Sequence, residues 1–472
     1  MRMLRQGSKN NGILGQGILM TELDNGQFHM DIPSDVEFII RKLENAGFEA
    51  YAVGGCVRDT ILKRTPGDWD ITTSAFPGDV KKLFRRTIDT GIKHGTVTVM
   101  LKAEGYEITT YRIDGVYTDS RHPESVEFTS DLAEDLKRRD FTINAMAYNP
   151  KKGLVDIYGG ISDLNNKIIR CVGNAEERFN EDALRIVRAV RFAAQLGFEI
   201  EESTKKAITK HAPTLVNISK ERIQSELEKI ITSDNPGMMR EAYELGITKV
   251  ILPEFDKAME TSQNTKYHIY SVGEHIIRVM EGVPAEKYLR LTALLHDIGK
   301  PECKTINDIG QDSFKNHAQV GAVIARRILK DLKYDNKTVG IVTKLIECHM
   351  DNPVKKEKTP EAVRRSVNKI GKELYPMFLT LRNADIAAKN PEYIAEKYEE
   401  LKYMKEVYNE ILKNGDCVDI KELAVSGKDI IKMGVEPGER VGEILNRLLD
   451  EVLKNPELNT KEILSQMIKT YI

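Results

Sequence analysis

The sequence predicts an α+β protein in which a small mixed β-sheet near the amino end is followed by a long helical remainder. Short runs rich in β-branched residues, bounded by glycine or charged pairs, are typical of strands. Such runs occur at residues 49–53, 70–73, 95–101, 106–111 and 154–157. Beyond about residue 173 the apolar residues recur at helical spacing, with almost no strand-like run. A chain of 472 residues is long enough to form about three domains.

Composition narrows the class of protein. The chain is 41% hydrophobic and 30% charged with a formal net charge of −2, so a nucleic-acid partner would have to bind a local basic patch. Its five cysteines are scattered without a CxxC spacing, which favours a reducing compartment and hence the cytoplasm. No run is long enough to span a membrane. The first 30 residues lack the apolar core of a signal peptide and are expected to form a loose tail.

The first strand is followed by the most informative segment of the chain, VGGCVRDTILKRTPGDWDIT at residues 53–72. Gly54 and Gly55 form a turn whose backbone can approach a phosphate closely, and a helix is expected to open behind it at Val57. Asp68 and Asp70 are two residues apart, so on a strand both would face the same side. Paired carboxylates of this kind suit Mg²⁺ that also holds substrate phosphates. The segment therefore predicts nucleotidyl transfer.

After the sheet, the helix predicted at residues 181–194 carries an arginine stripe. Arg185, Arg188 and Arg191 recur every three residues between apolar neighbours. This pattern indicates a groove wall facing an anion or bases. The other interpretation is that the three arginines extend to solvent from a buried helix.

Several stretches together resemble the bacterial-type tRNA nucleotidyltransferase and poly(A) polymerase family, which includes the CCA-adding enzymes. They occur in family order: VGGCVRD (53–59), GDWDITTSA (67–75), TIDTGIKHGTVTV (87–99), YEITTYRIDGVYTDSRHPESVEF (106–128), DLKRRDFTINAMA (135–147), DIYGG (156–160), RFNEDALRIVRAVRFAAQLGF (178–198) and SKERIQSELEKII (219–231). The resemblance implies a nucleotidyltransferase head followed by an all-α neck, body and tail. It also implies a tRNA 3′ end as the acceptor, with CTP and ATP as donors.

The same resemblance implies roles for individual residues. Asp68 and Asp70 would hold Mg²⁺, and Glu107 on the following hairpin would be a third carboxylate near the primer 3′-hydroxyl. The triphosphate would lie on Gly54, Gly55 and Arg58. Further nucleotide contacts are expected from Arg139, Asp182, Arg185, Arg188 and Arg191.

Asp182 and Arg185 are expected to read the base. A carboxylate only accepts hydrogen bonds and a guanidinium only donates them. Cytosine and adenine both place an amino donor beside an unprotonated ring nitrogen, whereas guanine and uracil present the reverse pattern. A wrong base would leave buried polar groups unpaired, at a cost of roughly 1–3 kcal/mol for each group. The pair therefore favours C and A.

Two segments favour complete CCA addition within the family. Residues 87–99 have the form seen in CCA-adding enzymes and lack the basic run of poly(A) polymerases. Residues 112–125 are polar and turn-rich, like the loop with which these enzymes switch from C to A. Poly(A) polymerase and enzymes that add only CC or only A remain alternatives.

A second set of residues resembles the HD phosphohydrolase domain. Its members are His275, His296, Asp297, His317, His349 and Asp385. Mixed imidazole and carboxylate ligands suit a second divalent metal ion. The resemblance implies hydrolysis of phosphomonoesters or 2′,3′-cyclic phosphates. A metal-binding but inactive domain is the competing interpretation, and a chain that is mainly an HD phosphohydrolase is a third.

The expected organisation has five parts. Residues 1–30 form the tail, 31–172 the catalytic head, 173–262 a helical neck that binds nucleotide and RNA, 263–410 the HD domain, and 411–472 a tRNA-binding tail.

Overall fold

The computed structural model describes residues 29–115 and 126–472. The chain divides into two compact units, Met1–Ile218 and Ser219–Ile472. The predicted amino-terminal tail and most of the predicted switching loop lie outside the described residues. Among the described helices, none combines the length and hydrophobicity that crossing a membrane demands.

The first unit holds the sheet. Its helices are α1 (Ser34–Asn45), α2 (Gly55–Ile61), α3 (Pro77–Leu83), α4 (Leu132–Lys137), α5 (Gly160–Asn166), α6 (Ala175–Glu181), α7 (Leu184–Leu196) and α8 (Glu202–His211). Its strands are β1 (Ala50–Val53), β2 (Ile71–Thr73), β3 (Thr87–Gly91), β4 (Thr96–Leu101), β5 (Glu104–Thr110), β6 (Arg112–Asp114), β7 (Val126–Phe128), β8 (Met146–Asn149), β9 (Gly153–Asp156), β10 (Ile168–Ile169) and β11 (Glu199–Ile200).

Seven of these strands form one mixed sheet in the order β3-β4-β5-β2-β1-β8-β9. The β2–β5 pair is parallel, and its register places Ile71 beside Ile108. The other pairs are antiparallel, and β4 and β5 form the predicted hairpin. Tyr51, Val53 and Ala147 pack with Tyr111 and Leu136 in a core cluster of this unit. The predicted α+β class and the five predicted strand regions are confirmed.

Two strands of the sheet have no signal in the sequence pattern. The edge strand β3 is mostly exposed, so its side chains do not alternate between apolar and polar. The inner strand β8 is buried at every position and includes Ala147 and Asn149, which have little β-propensity.

The second unit is almost entirely helical. Its helices are α9 (Lys220–Ile231), α10 (Met239–Glu244), α11 (Thr248–Ile251), α12 (Pro253–Glu260), α13 (Val272–Gly282), α14 (Lys287–Leu295), α15 (Lys300–Cys303), α16 (His317–Asp331), α17 (Asn336–Cys348), α18 (Pro353–Lys356), α19 (Pro360–Ile370), α20 (Tyr375–Ala387), α21 (Ala395–Asn414), α22 (Gly427–Lys432), α23 (Glu439–Lys454) and α24 (Lys461–Tyr471). A short hairpin, β12 (Thr305–Ile306) with β13 (Asp312–Ser313), interrupts them.

A single hydrophobic core joins α17 to α24. Phe378, Met404, Leu448 and Ile468, from four different helices, are completely buried in it. The carboxyl-terminal helices are therefore packed into the second unit through this core.

Candidate active site and candidate metal centre

Three carboxylates meet at one edge of the sheet. Asp70 directly precedes β2 and Glu107 directly precedes Ile108, so the parallel register sets them side by side. Burial raises the pKa of Asp70 to about 6, and the negative charges of Asp68 and Glu107 act in the same direction, opposed by Arg139. Asp68 and Glu107 are therefore close enough to Asp70 for their charges to act on it, and a bound cation would relieve this repulsion.

The aspartates are not on a strand as the spacing predicted. Strand β2 begins only at Ile71, so Asp68 and Trp69 lie in the preceding loop. The Asp70 carbonyl accepts a hydrogen bond from the Val53 amide at 3.0 Å, which anchors this end of the loop to β1. The loop leaves Asp68 and Glu107 exposed while Asp70 is half-buried, an open arrangement with room for substrate oxygens.

The Gly-Gly turn lies at the end of β1, next to the carboxylates. Gly54 has φ +84°, which L side chains rarely adopt, and a Cβ there would lie 2.7 Å from Nη1 of Arg139. Helix α2 begins directly at Gly55, two residues before the predicted start at Val57.

Arg58 does not present a free guanidinium. Its Nε and Nη2 donate to both carboxylate oxygens of Asp59, at 2.8 and 2.9 Å, and Nη1 donates to Asn144 Oδ1 at 2.6 Å. The residue is 8% exposed. Binding of a triphosphate by Arg58 would therefore exchange existing hydrogen bonds.

Asn144 connects Arg58 to Asp140. Its amide donates to Asp140 Oδ1 at 3.0 Å, and the other oxygen of Asp140 accepts from Nε and Nη2 of Arg188 at 2.8 and 2.5 Å. This chain links α2 to α7 through four hydrogen-bonded side chains. Asp140 and Asn144 thus brace the head through these hydrogen bonds.

Asp140→Asn tests that brace. Burial raises the pKa of Asp140, but the opposing effects of Arg188 and Asn144 are larger in sum and hold it well below the usual value. Because the folded pKa lies below the unfolded one, the stabilisation is present above about pH 4 and is lost as pH falls toward the folded value. We expect urea unfolding at pH 7 to show that the variant has lost about 2 kcal/mol of unfolding free energy. The difference in unfolding free energy between wild type and variant should become smaller below about pH 4. A difference that does not change with pH would contradict this role of Asp140.

Arg139 lies beside the turn and its charge acts on Asp70. Its Nη1 approaches the Asn144 carbonyl at 3.5 Å, while its buried Nε has no hydrogen-bond partner among the described residues. Burial lowers the pKa of this guanidinium. An incompletely paired buried donor beside the carboxylates is consistent with the predicted nucleotide contact.

The arginine stripe has partners inside the protein. Arg185 donates from Nη1 to Glu181 at 2.5 Å and to the Arg178 carbonyl at 3.1 Å, and from Nη2 to the Arg138 carbonyl at 2.9 Å. Asp182 is not on the helix, because α7 starts at Leu184, whose amide donates to Asp182 Oδ1 at 3.0 Å. The two residues predicted to read the base, Asp182 and Arg185, are thus neighbours at the start of α7. Both side chains already form hydrogen bonds within the protein.

Two residues that organise this region escaped the sequence reasoning. Phe192 is one of the apolar neighbours of the arginine stripe, and its ring centroid lies 5.0, 5.3 and 3.9 Å from the guanidinium carbons of Arg58, Arg188 and Arg191. Asp135 is fully buried and accepts from Thr72 of β2 at 3.0 Å and from Arg138 at 2.7 Å. An acidic residue one turn before an Arg-Arg pair was the available signal for Asp135.

Glu107→Gln tests the coupling of the carboxylates. Removing the Glu107 charge should lower the pKa of Asp70 from about 6. Carbon-detected NMR titration of the Asp70 carboxyl in metal-free protein measures the midpoint directly. Glu104→Gln, on the same strand, is the matched control and should leave the midpoint in place. An unchanged midpoint in Glu107→Gln would mean that the two carboxylates are too far apart to share a cation.

The second unit brings together all six residues of the predicted metal centre. His275 lies on α13 and Asp385 on α20, and their Nε2 and Oδ1 atoms are 3.1 Å apart. Asp297 is central: its Oδ2 is 3.3 Å from Nε2 of His296 and 3.5 Å from that of His275. Its Oδ1 is 3.4 Å from His317 and 3.5 Å from His349.

Within the described ranges, two groups of three ligands have atoms within 4.8 Å of one another. They are His275, His296 and Asp297, and Asp297, His317 and His349. Nε2 of His296 is fully buried without a hydrogen bond of good geometry. Burial lowers the pKa of His349 to about 4 and also lowers the pKa of His275, so both imidazoles are neutral at pH 7, the form that can bind a metal. Burial acts in the same direction at His296, but the opposing effects of Asp297 and its neighbours are larger in sum and raise the pKa of that imidazole. The donor set therefore fits one or two divalent metal ions.

A glycine makes this convergence feasible. A Cβ on Gly299 would collide with the His317 carbonyl and the Gly321 amide. The segment that carries His296 and Asp297 can therefore lie directly against the start of α16.

Comparisons with known proteins match three parts of the chain to family models. Residues 50–170 match the Poly A polymerase head domain, 197–259 the probable RNA and SrmB-binding site of polymerase A, and 315–468 the putative tRNA nucleotidyltransferase domain 2. The chain is 36% identical over 432 residues to the CCA-adding enzyme of Pediococcus pentosaceus, covering 90% of this chain and 95% of that protein. It is 35% identical over 440 residues to the enzyme of Ligilactobacillus salivarius, covering 91% and 95%.

A solved structure of the Bacillus stearothermophilus CCA-adding enzyme in complex with CTP is similar in fold and sequence. It has a TM-score of 0.70 and 31% identity, over 93% of this chain and 98% of that one. The relatives match both units, and the carboxylate edge lies inside the matched polymerase head. The chain therefore belongs to the family of CCA-adding enzymes.

Proposed function

We propose that this protein builds and repairs the 3′-terminal CCA of tRNA from CTP and ATP. The observation that carries the proposal is the edge where Asp68, Asp70 and Glu107 meet beside the Gly54 turn. The relatives named as CCA-adding enzymes and the CTP complex of one such enzyme support the substrates.

Membership of this family implies a divalent metal, which we propose is Mg²⁺, held by Asp68 and Asp70. Carboxylate oxygens are its preferred ligands, and bound metal would stabilise charge on the attacking and leaving oxygens. The primer 3′-oxygen forms a bond to the α-phosphorus of the nucleotide as the bond to pyrophosphate breaks. We assign to Glu107 the role of accepting the proton of the 3′-hydroxyl.

Base selection is assigned to Asp182 and Arg185, with Arg58, Arg139, Arg188 and Arg191 around the nucleotide. Since Arg185 is held by Glu181 and two carbonyls, the incoming base replaces some of these bonds. Cytosine and adenine supply the acceptor that Arg185 then requires, whereas guanine and uracil leave it unpaired.

The deciding experiment offers a tRNA transcript ending at the discriminator base, with Mg²⁺ and each nucleotide alone or together. CTP alone should add two residues, and ATP should then add one. A long A tract formed without CTP would instead identify a poly(A) polymerase. A product that stops at CC with both nucleotides present would identify a CC-adding enzyme. Addition of A only to a second transcript that already ends in CC would identify an A-adding enzyme.

The second unit has its own proposed activity, hydrolysis of phosphate monoesters or 2′,3′-cyclic phosphates. Convergence of four histidines and two aspartates in a buried centre favours it. For a monoester, a water oxygen bonds to phosphorus, the ester P–O bond breaks, and the leaving oxygen takes up a proton. A metal ion held by these residues would supply an activated water and neutralise charge.

A further inference from the structure

A cavity of about 280 Å³ opens beside the metal centre of the second unit. Its lining includes Asp297, Asp385, His317 and His349 from the centre. Three lysines, Lys300, Lys315 and Lys389, also line it. A ligand in this cavity would therefore touch the metal centre and basic groups together.

Two exposed tyrosine rings lie in contact beside the cavity. Tyr267 lines the cavity and is 40% exposed, and its neighbour Tyr393 is 39% exposed. The two rings meet edge to face with centroids 5.8 Å apart. Nζ of Lys266 lies 5.0 Å from the Tyr267 centroid and 5.4 Å from that of Tyr393, and Nζ of Lys397 lies 5.1 Å from Tyr267. We call these four residues the Tyr267 platform.

The platform is tied to the metal centre. The Asn390 amide donates to the Tyr267 carbonyl at 2.9 Å, and its side chain donates to the Lys266 carbonyl at 3.0 Å. Asn390 follows closely after α20, which carries Asp385. These bonds attach the backbone that carries Lys266 and Tyr267 to the segment that follows Asp385.

The charge around the cavity favours an anion with more than one negative group. Lys300 pairs with Asp297 at 2.7 Å and Lys389 with Asp385 at 2.6 Å, so these cations balance the carboxylates of the centre. In the part of the chain that the structure describes, Lys266, Lys315 and Lys397 form no ion pair within 4.0 Å. Metal ions at the centre would increase the positive excess.

We propose that the Tyr267 platform binds the last bases and phosphodiesters of a single-stranded RNA whose terminal phosphate enters the cavity. Exposed aromatic rings flanked by basic groups are the common platform for single-stranded nucleic acids, because every base has a face to stack. A small phosphorylated metabolite would use the cavity but would leave two exposed rings and two lysines without a role. The inference rests on the proposed phosphohydrolase activity and adds its substrate class.

The test measures binding of a hexauridylate with a 3′-phosphate and a 5′-fluorescein by fluorescence anisotropy, using the full chain in EDTA. Tyr267→Leu should weaken binding about tenfold, the usual effect of losing one stacking ring. Tyr403→Leu is the matched control, since Lys358 lies 5.1 Å over that ring and Tyr403 does not line the cavity. Binding to the polymerase head contributes equally to all three proteins.

A second measurement distinguishes RNA binding at the Tyr267 platform from hydrolysis of the phosphate ester. With Mn²⁺ present, Tyr267→Leu should raise KM for release of phosphate from the hexanucleotide and leave release from glycerol 2-phosphate unchanged. Equal binding by wild type and Tyr267→Leu would overturn the platform while leaving the hydrolase intact. Phosphate release from neither compound would overturn the hydrolase, and a tenfold binding difference would still support the platform.

Discussion

Asp70→Asn is expected to reduce nucleotide addition by about a thousandfold or more while the protein stays folded. Metal ligation by Asp70 would supply several kcal/mol of transition-state stabilisation, and each 1.36 kcal/mol is a factor of ten in rate. The amide keeps the shape of the side chain but loses the charge. Extension of a tRNA transcript by CTP and ATP, measured under single-turnover conditions, gives the effect directly.

The same substitution has an unusual consequence for stability. The pKa of Asp70 is higher in the folded than in the unfolded protein, so ionisation of Asp70 lowers the free energy of unfolding. This destabilisation is absent below about pH 4, where the carboxyl is protonated in both states. It is complete above the folded pKa of about 6. Asn removes that destabilisation, so metal-free Asp70→Asn should unfold at the same temperature as wild type or higher at pH 7.

Asp89→Asn is the matched control in the same sheet. Asp89 is exposed on β3 and pairs with Lys81 at 2.9 Å, so its loss should alter addition less than twofold. An Asp70→Asn variant that folds and retains wild-type addition would remove Asp70 from the catalytic site.

The sequence pattern identified the two aspartates of the candidate active site but not the backbone conformation around them. The spacing of Asp68 and Asp70 identified the carboxylates, but a two-residue spacing contains no information on where the strand begins, and β2 starts after them. Glu107 came from family resemblance. Its position beside Asp70 depends on the β2–β5 register, a pairing between segments 37 residues apart that periodicity does not encode.

The arginines show a different limit. Helical spacing correctly placed Arg188 and Arg191 on α7, yet their partners Asp140 and Phe192 depend on tertiary packing. Arg58 likewise is occupied by its neighbour Asp59 and by distant Asn144. The pattern predicted cations near a nucleotide, whereas only the structure shows that binding must exchange hydrogen bonds already formed.

The candidate metal centre was predicted from resemblance and could not have been predicted from periodicity. Its six residues lie on or beside α13, α14, α16, α17 and α20, and no periodicity connects helices so far apart in the chain. Lys300 and Lys389, which pair with the two aspartates, were not singled out. A lysine three or four residues after an aspartate is ordinary on any helix, so neither carried a signal.

Asp297→Asn is expected to remove metal binding and phosphate release from the second unit without affecting CCA addition. Asp297 belongs to both ligand groups, so its loss disrupts each of them. We expect metal affinity to fall at least a hundredfold, since even residues outside the ligand set change affinity by 10- to 100-fold. Calorimetric titration with Mn²⁺ measures the affinity, and Asp331→Asn, an exposed position on α16, is the control.

Measurements of stability can show whether Asp297 binds a metal or only pairs with Lys300. In metal-free protein Asp297 pairs with buried Lys300 at 2.7 Å, so Asp297→Asn should destabilise it by about 3 kcal/mol by leaving that charge unpaired. Adding Lys300→Met should recover much of this loss, because the unpaired ammonium is gone. It should not restore metal binding, since the ligand oxygen with its charge is still missing. Recovery of both properties in the double variant would show that Asp297 serves Lys300 and not a metal, because a true ligand cannot be replaced by relieving its neighbour.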